Sequence, residues 1–272
     1  MLKSVLKKVS PFPLILLIFG CTQTPKPGSQ LFISDGILSN SAMDGYYLYL
    51  PRGYSSDKKW PVILFLQGST GMNHRIEAVK EYGPAKHAIE EKSTLYNTVG
   101  DQFIIINPHL KAGPPEKRQW FQFSKSMEGI LDFINENYNG DPTRTYITGL
   151  SKGASGCWGI AKRLPHRFAA MIAIAGRINC ESRCEALENT PTWVVHNTGD
   201  ERVTYDYSRE TVDYLQDQLY FNFHELGTVS LAAEEIQFDY LFSSLPDSGH
   251  DAWTQTYSSA SIYEWMLSKK KN

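Results

Sequence analysis

The sequence predicts a doubly wound α/β domain, a mostly parallel β-sheet with helices on both faces. From about Tyr46 onward, short runs rich in β-branched and aromatic residues alternate with runs of helical spacing. The middle β-runs are apolar throughout instead of alternating, as strands are when helices cover both of their faces. The 272 residues, 42% hydrophobic and 21% charged, suit one large core in one undivided domain.

In chain order, the strand candidates are "GYYLYLP" (45–51), "PVILFLQ" (61–67), "FIIINP" (103–108), "RTYITGL" (144–150), "AAMIAIAG" (169–176), "PTWVVHN" (191–197) and "IQFDYLF" (236–242). Between and after them, "AKHAIEEKS" (85–93), "SMEGILDFINENY" (126–138), "SGCWGIAKRL" (155–164), "YSRETVDYLQDQL" (207–219) and "SSASIYEWMLSKK" (258–270) space their apolar residues as helices do. Open sheets of this kind bind ligands at the carboxyl ends of their strands, so the loops after strands are where chemistry is sought. In the long connection after 219, core packing is favoured over a pocket wall for Tyr220, Phe221 and Phe223.

Charge excludes one class of partner. A formal net charge of −2 and no basic stripe away from the termini give no footprint for nucleic acid. The N-terminus is different: Lys3, Lys7 and Lys8 precede the apolar "PFPLILLIFG", which ends at Cys21 before a polar, Pro-rich "TQTPKPGSQ". Ten apolar residues are too few to span a bilayer, so residues 1–20 are expected to be a signal peptide. Residues 21–43 then form a linker and N-terminal extension, and 44–272 the catalytic domain. Cys180 and Cys184 are close enough in sequence to pair, whereas Cys157 lies on an apolar helix face. No two-Cys, two-His spacing and no His-Glu-x-x-His pattern occurs, so no metal is expected.

The strongest motif is Gly149-Leu150-Ser151-Lys152-Gly153, a G-x-S-x-G between the strand "RTYIT" and a helix. A chain of this length holds that pentapeptide by chance about one time in ten, so its position carries the weight. A sharp strand-to-helix turn strains the backbone at the serine, and side chains two residues either side are expected to collide with it unless they are glycine. A serine hydroxyl needs a base, and the base a carboxylate. In this arrangement acid and histidine follow the serine in that order, each on a loop after a later strand. Asp200 follows "PTWVVHN" and His250 follows "IQFDYLF", so both lie where the order requires them. Of the other acids in that interval, Asp206 opens a helical run, Asp239 falls inside a strand and Asp247 is too close to His250. His196, within a strand, is read as a core or supporting residue. The oxyanion needs two N–H donors: Lys152, after the nucleophile, and one on the loop Gln67-Gly68-Ser69-Thr70-Gly71, with Ser69 preferred and Thr70 second.

Taken together, these residues resemble the α/β-hydrolase superfamily from Asp44 onward. Within it, "DPTRTYITGLSKGASGCWGIAKRLPHRFAAMIAIAG", "TWVVHNTGDERV", "GHDAWTQTY" and "IYEWMLSKK" look like a bacterial esterase branch. That branch joins phospholipase/carboxylesterase-like, polyhydroxybutyrate-depolymerase-like and feruloyl or acetylxylan esterases. Two positions depart from its pattern: Gln67 replaces a customary His, and Lys152 a customary Met or Gly, which leaves substrate preference open. The resemblance implies hydrolysis of carboxylic esters through an acyl-enzyme, with Ser151 as nucleophile, His250 as base and Asp200 as acid, and no cofactor. It also implies that Trp120 lies near the substrate. Ile18-Phe19-Gly20-Cys21 resembles a lipobox, which implies a lipid on Cys21, membrane attachment in the bacterial cell envelope, and, since Thr22 follows it, sorting to the outer membrane. A periplasmic or secreted form is the alternative. The substrate class is a small-molecule or polysaccharide-linked ester, with no protein partner. The competing functions are a prolyl-oligopeptidase-like peptidase and an inactive surface binding lipoprotein. The chain has no room for the propeller of the first, and it retains every triad member that the second typically lacks.

Overall fold

The computed structural model describes residues 24–34, 43–69, 81–110, 114, 118–177 and 183–271. Nine strands form one sheet: β1 (Gln30–Ile33), β2 (Met43–Tyr49), β3 (Trp60–Leu66), β4 (Ile104–Leu110), β5 (Gly140–Leu150), β6 (Ala170–Ile174), β7 (Thr192–Gly199), β8 (Phe223–Leu226) and β9 (Tyr240–Ser248). Their spatial order is β1-β2-β4-β3-β5-β6-β7-β9-β8. The pairs β1–β2 and β2–β4 are antiparallel and every other pair is parallel, so the expected mostly parallel sheet is present.

Helices α1 (Pro84–Ile89), α2 (Tyr96–Gly100), α3 (Ser124–Asn137), α4 (Lys152–Ala161), α5 (Asp206–Leu219), α6 (Trp253–Tyr257) and α7 (Ala260–Ser268) divide between the two faces. Strand β3 shows how. Its side chains alternate, so Val62, Leu64 and Leu66 join a core with Ile130 and Ile134 of α3, Ile160 of α4 and Leu215 of α5. Ile63 and Phe65 point the other way, into a core with Ala88 of α1, Val99 of α2, Tyr257 of α6 and Trp265 of α7. Because both faces are covered, every residue of β3 is buried, which is why the strand is apolar throughout.

The sheet departs from the sequence reading at its edges. Strand β1 lies inside the stretch expected to be linker, and β8 lies in the connection after α5. Both are four-residue strands whose side chains are mostly incompletely buried, so their sequences carry little of the apolar signal. Strand β9 starts at Tyr240, four residues later than the run that announced it, and continues through Pro246 to Ser248. Phe221 and Phe223 pack on Tyr240, with ring centroids 4.8 and 5.5 Å away, while Tyr220 is 87% exposed. Cys157 is free and buried, and Cys184 is disulfide-bonded to a partner outside the described residues. Cys21, the expected signal peptide and Thr70 also fall outside them. Among the described residues no helix is long and apolar enough to cross a membrane.

Candidate active site

Ser151 stands between β5 and α4 with φ 52° and ψ −119°, a conformation that L-residues rarely adopt. The flanking glycines make the turn sterically possible, though against different neighbours from those expected. A Cβ on Gly153 would lie 1.9 Å from the Leu66 carbonyl oxygen, and one on Gly149 would lie 2.6 Å from the Gly153 carbonyl carbon. The glycines therefore let the first turn of α4 press onto the backbones of β3 and β5. The serine N–H donates to the Ile174 carbonyl at 2.8 Å, which ties the turn to β6.

Two later loops complete a hydrogen-bonded chain. His250 Nε2 is 2.8 Å from Ser151 Oγ, and its Nδ1 is 2.6 Å from Asp200 Oδ2. A carboxylate only accepts, so Nδ1 carries the proton and Nε2 is left to accept from the serine hydroxyl. The two loops also hold each other: Asn197 Nδ2 donates to the Gly249 carbonyl at 3.0 Å, and the Gly249 N–H to the Gly199 carbonyl at 3.1 Å. Trp253 stands edge-on to the His250 ring, 5.1 Å between centroids. An open cleft of about 570 Å³ borders His250 and Trp253, with Glu201 and Arg202 on its wall.

Asp200 is held from several sides. Its other oxygen accepts the N–H groups of Arg202 and Val203 at 2.9 and 3.0 Å. Burial pushes its pKa up, but the bonds from His250, Val203 and Arg202 outweigh that and hold the carboxyl below its ordinary range. The rival acids are engaged elsewhere: Asp239 pairs with Lys269 at 2.9 Å, and Asp247 accepts from Gln255 at 2.9 Å. Asp206 opens α5.

His196, fully buried, touches the same carboxylate, its Nε2 lying 3.2 Å from Asp200 Oδ2 and 2.8 Å from the Val203 carbonyl. A carbonyl only accepts, so Nε2 carries the proton, and Nδ1 accepts from Ser208 Oγ at 2.6 Å. The ring is thereby neutral and saturated. Burial lowers its pKa despite the opposing pull of Val203 and Asp200.

Lys152 begins α4, so its N–H lies in the first turn, where the helix itself offers no carbonyl to accept it. The loop after β3 passes alongside: a Cβ on Gly68 would lie 3.3 Å from Ser151 Cβ, and Ser69 is the next residue. Trp120 is only 1% exposed, and its indole N–H donates to the Gln67 carbonyl at 3.1 Å. It supports the loop after β3, which passes Ser151, from a buried position behind that loop. The sequence did not reveal Ser208 and Asn197, polar residues that hold the triad's neighbours from elsewhere in the fold.

Known proteins share this architecture. A thermostable esterase superposes with a TM-score of 0.66 at 20% identity, over 89% of this chain and 63% of its own. The feruloyl esterase module from Clostridium thermocellum complexed with sinapinate superposes with a TM-score of 0.63 at 14% identity, over 89% of each chain. At such identities the likeness is one of fold. In sequence, acetylxylan esterase A of Emericella nidulans is 27% identical over 181 residues, 60% of this chain. The chain spans about half the length of that relative, 54%. The model of the Esterase family matches residues 43–216, a span that holds Ser151 and Asp200 and stops before His250, and the chain belongs to that family.

Proposed function

We propose that this protein hydrolyses carboxylic esters through a covalent acyl-serine. The observation that carries the reading is the continuous chain from Ser151 Oγ through His250 to Asp200, at 2.8 and 2.6 Å. Ser151 Oγ attacks the ester carbonyl while His250 Nε2 takes its proton. The Lys152 and Ser69 N–H groups face the developing oxyanion. His250 then gives the proton to the departing alcohol. Water, activated by the same nitrogen, frees the acid and restores Ser151. Asp200 keeps the imidazole in the required tautomer and steadies its charged form.

Family membership and the likeness to acetylxylan and feruloyl esterases support acyl groups carried on a polysaccharide as the substrate class. Lipid attachment at Cys21 in the bacterial envelope completes the proposal, on the basic and apolar segments that end at that cysteine. A fluorophosphonate probe should label Ser151 in the intact protein, and acetylated and feruloylated xylan should lose acyl groups to it. Failure of the probe to modify Ser151 in folded protein would reject the nucleophile. A Cys21→Ser variant should leave the membrane fraction, and its retention there would reject the anchor.

A further inference from the structure

The cleft beside His250 carries two charges that the triad does not use. It borders His250 and Trp253 but not Ser151, and its volume of about 570 Å³ falls within the ~300–1,000 Å³ of small-molecule sites. Glu201 and Arg202 stand exposed on its wall, and neither side chain has a hydrogen bond or ion pair with any described residue. Their place in the chain is nonetheless fixed, because the Arg202 backbone N–H donates to Asp200 Oδ1 at 2.9 Å. Asp251, on the same wall, is engaged: its two carboxylate oxygens accept the N–H and O–H of Thr254 at 2.9 and 2.7 Å. Trp253 presents a half-buried indole, 87° to the imidazole plane with 5.1 Å between centroids.

The path of the proton decides which half of a substrate meets this cleft. As the bond between the acyl carbon and the alcohol oxygen breaks, that oxygen takes the proton from His250 Nε2, so the alcohol half lies against His250. The acyl carbon is bonded to Ser151 Oγ and lies against the serine. A cleft that borders the histidine and not the serine is on the alcohol's side. The charges then narrow the kind of alcohol. A carboxylate and a guanidinium on adjacent residues cancel at a distance, so they offer no net attraction to an ion. Close to, they are an acceptor and a fork of donors, and hydrogen bonds from hydroxyls to such charged groups are the strong ones. The indole adds apolar surface for the C–H face of a ring. Nothing stands within 4 Å of where a Cβ on Gly249 would be, which leaves room for a ring joined to further rings.

We infer that this cleft is the leaving-group subsite, and that Glu201, Arg202 and Trp253 select an uncharged sugar ring as the alcohol half of the ester. The inference deepens the esterase reading and rests on Ser151 and His250 acting as proposed. Esters of a simple ring alcohol with the same acyl group are then the poorer substrates.

The test uses the whole protein and two acetates, methyl 4-O-acetyl-β-D-xylopyranoside and cyclohexyl acetate, with 4-nitrophenyl acetate alongside, each read by the acetate released. All three form the same acetyl-serine, so a difference in kcat/KM belongs to the alcohol half. Wild type should favour the xyloside over the cyclohexyl ester by about tenfold or more. Part of that ratio is the easier departure of a sugar hydroxyl, which is the same in every variant, so the subsite is read from the fall in the ratio. Glu201→Gln and Arg202→Met should each lower it by about threefold or more. Arg202→Met keeps the backbone N–H that holds Asp200, and taking the ratio within each variant cancels any change in the triad itself. A wild-type ratio below about tenfold, or a fall of less than about threefold in either variant, overturns the subsite. So does cleavage of 4-nitrophenyl acetate with neither of the other two. Cleavage of none of the three removes the esterase reading and the subsite together.

Discussion

Two histidines meet at one carboxylate oxygen, and their surroundings differ. His196 and His250 both approach Asp200 Oδ2, at 3.2 and 2.6 Å. On the inner side, His196 has both nitrogens engaged, by Val203 and by Ser208, and no exposed surface. On the outer side, the His250 side chain keeps 11% of its surface, and among the described residues its second nitrogen meets the Ser151 hydroxyl alone. Reactivity here depends on what occupies the far nitrogen of each ring, because both share the same acid. The inner ring is a fixed donor that helps to hold the carboxylate, and the outer ring is the proton carrier of the reaction we propose.

Removing the outer ring's partner should have the largest effect. Ser151→Ala should lower kcat by at least about 10⁴-fold while leaving the melting temperature close to wild type, a residual rate surviving from oxyanion binding. Activity within tenfold of wild type would place the nucleophile elsewhere. Next comes the shared acid. Asp200→Asn should lower kcat by on the order of 10³–10⁴ with little change in KM, because the amide favours the wrong tautomer of His250. Asp247→Asn should stay near wild type, and the reverse pattern would reassign the acid.

The inner ring should matter less to rate and more to pH dependence. The folded protein holds the His196 pKa below its unfolded value of about 6.5, so the unfolded chain takes up that proton first. Its stabilisation is complete above pH 6.5 and declines as pH falls from there toward the folded value. His196→Gln should flatten this segment of a urea-midpoint profile and reduce kcat by about tenfold, as a loosened acid would. An unchanged slope would show that another group governs it. The smallest effect is expected at Ser208→Ala, which strips the inner ring of its Nδ1 donor. Stability should fall by about 1–3 kcal/mol, the cost of leaving a buried acceptor unpaired, with kcat altered by less than about threefold. A larger loss of rate would mean that His196 is itself mobile in the reaction.

The meeting of Ser151, Asp200 and His250 was legible because chain order and position after buried strands are properties of sequence: each of the three follows an apolar run. Support from a distance is not. That Ser208 would reach back from α5 to His196, or that Trp120 would be sealed behind the loop after β3, depends on packing that no local pattern encodes. The central strands β3 to β7 were visible for the same reason, since burial on both faces writes itself as an unbroken apolar run. Strands β1 and β8, short and at the two edges, have no such record, and the polar second half of β9 was hidden by Pro246, Asp247 and Ser248.

The position of β9 between β7 and β8 has a further consequence, in time. Strand β8 precedes β9 in the chain but, among the described strands, pairs with β9 alone. A chain that ends at Leu226 would thus hold β8 without its partner strand, and Ser151 and Asp200 without His250. Once the residues through His250 emerge, β9 can seat against β7, recruit β8 and set the imidazole beside Ser151. In the reaction we propose, the segment that completes this edge of the sheet is thus also the one that leads into the base, so a chain cut before His250 would lack both.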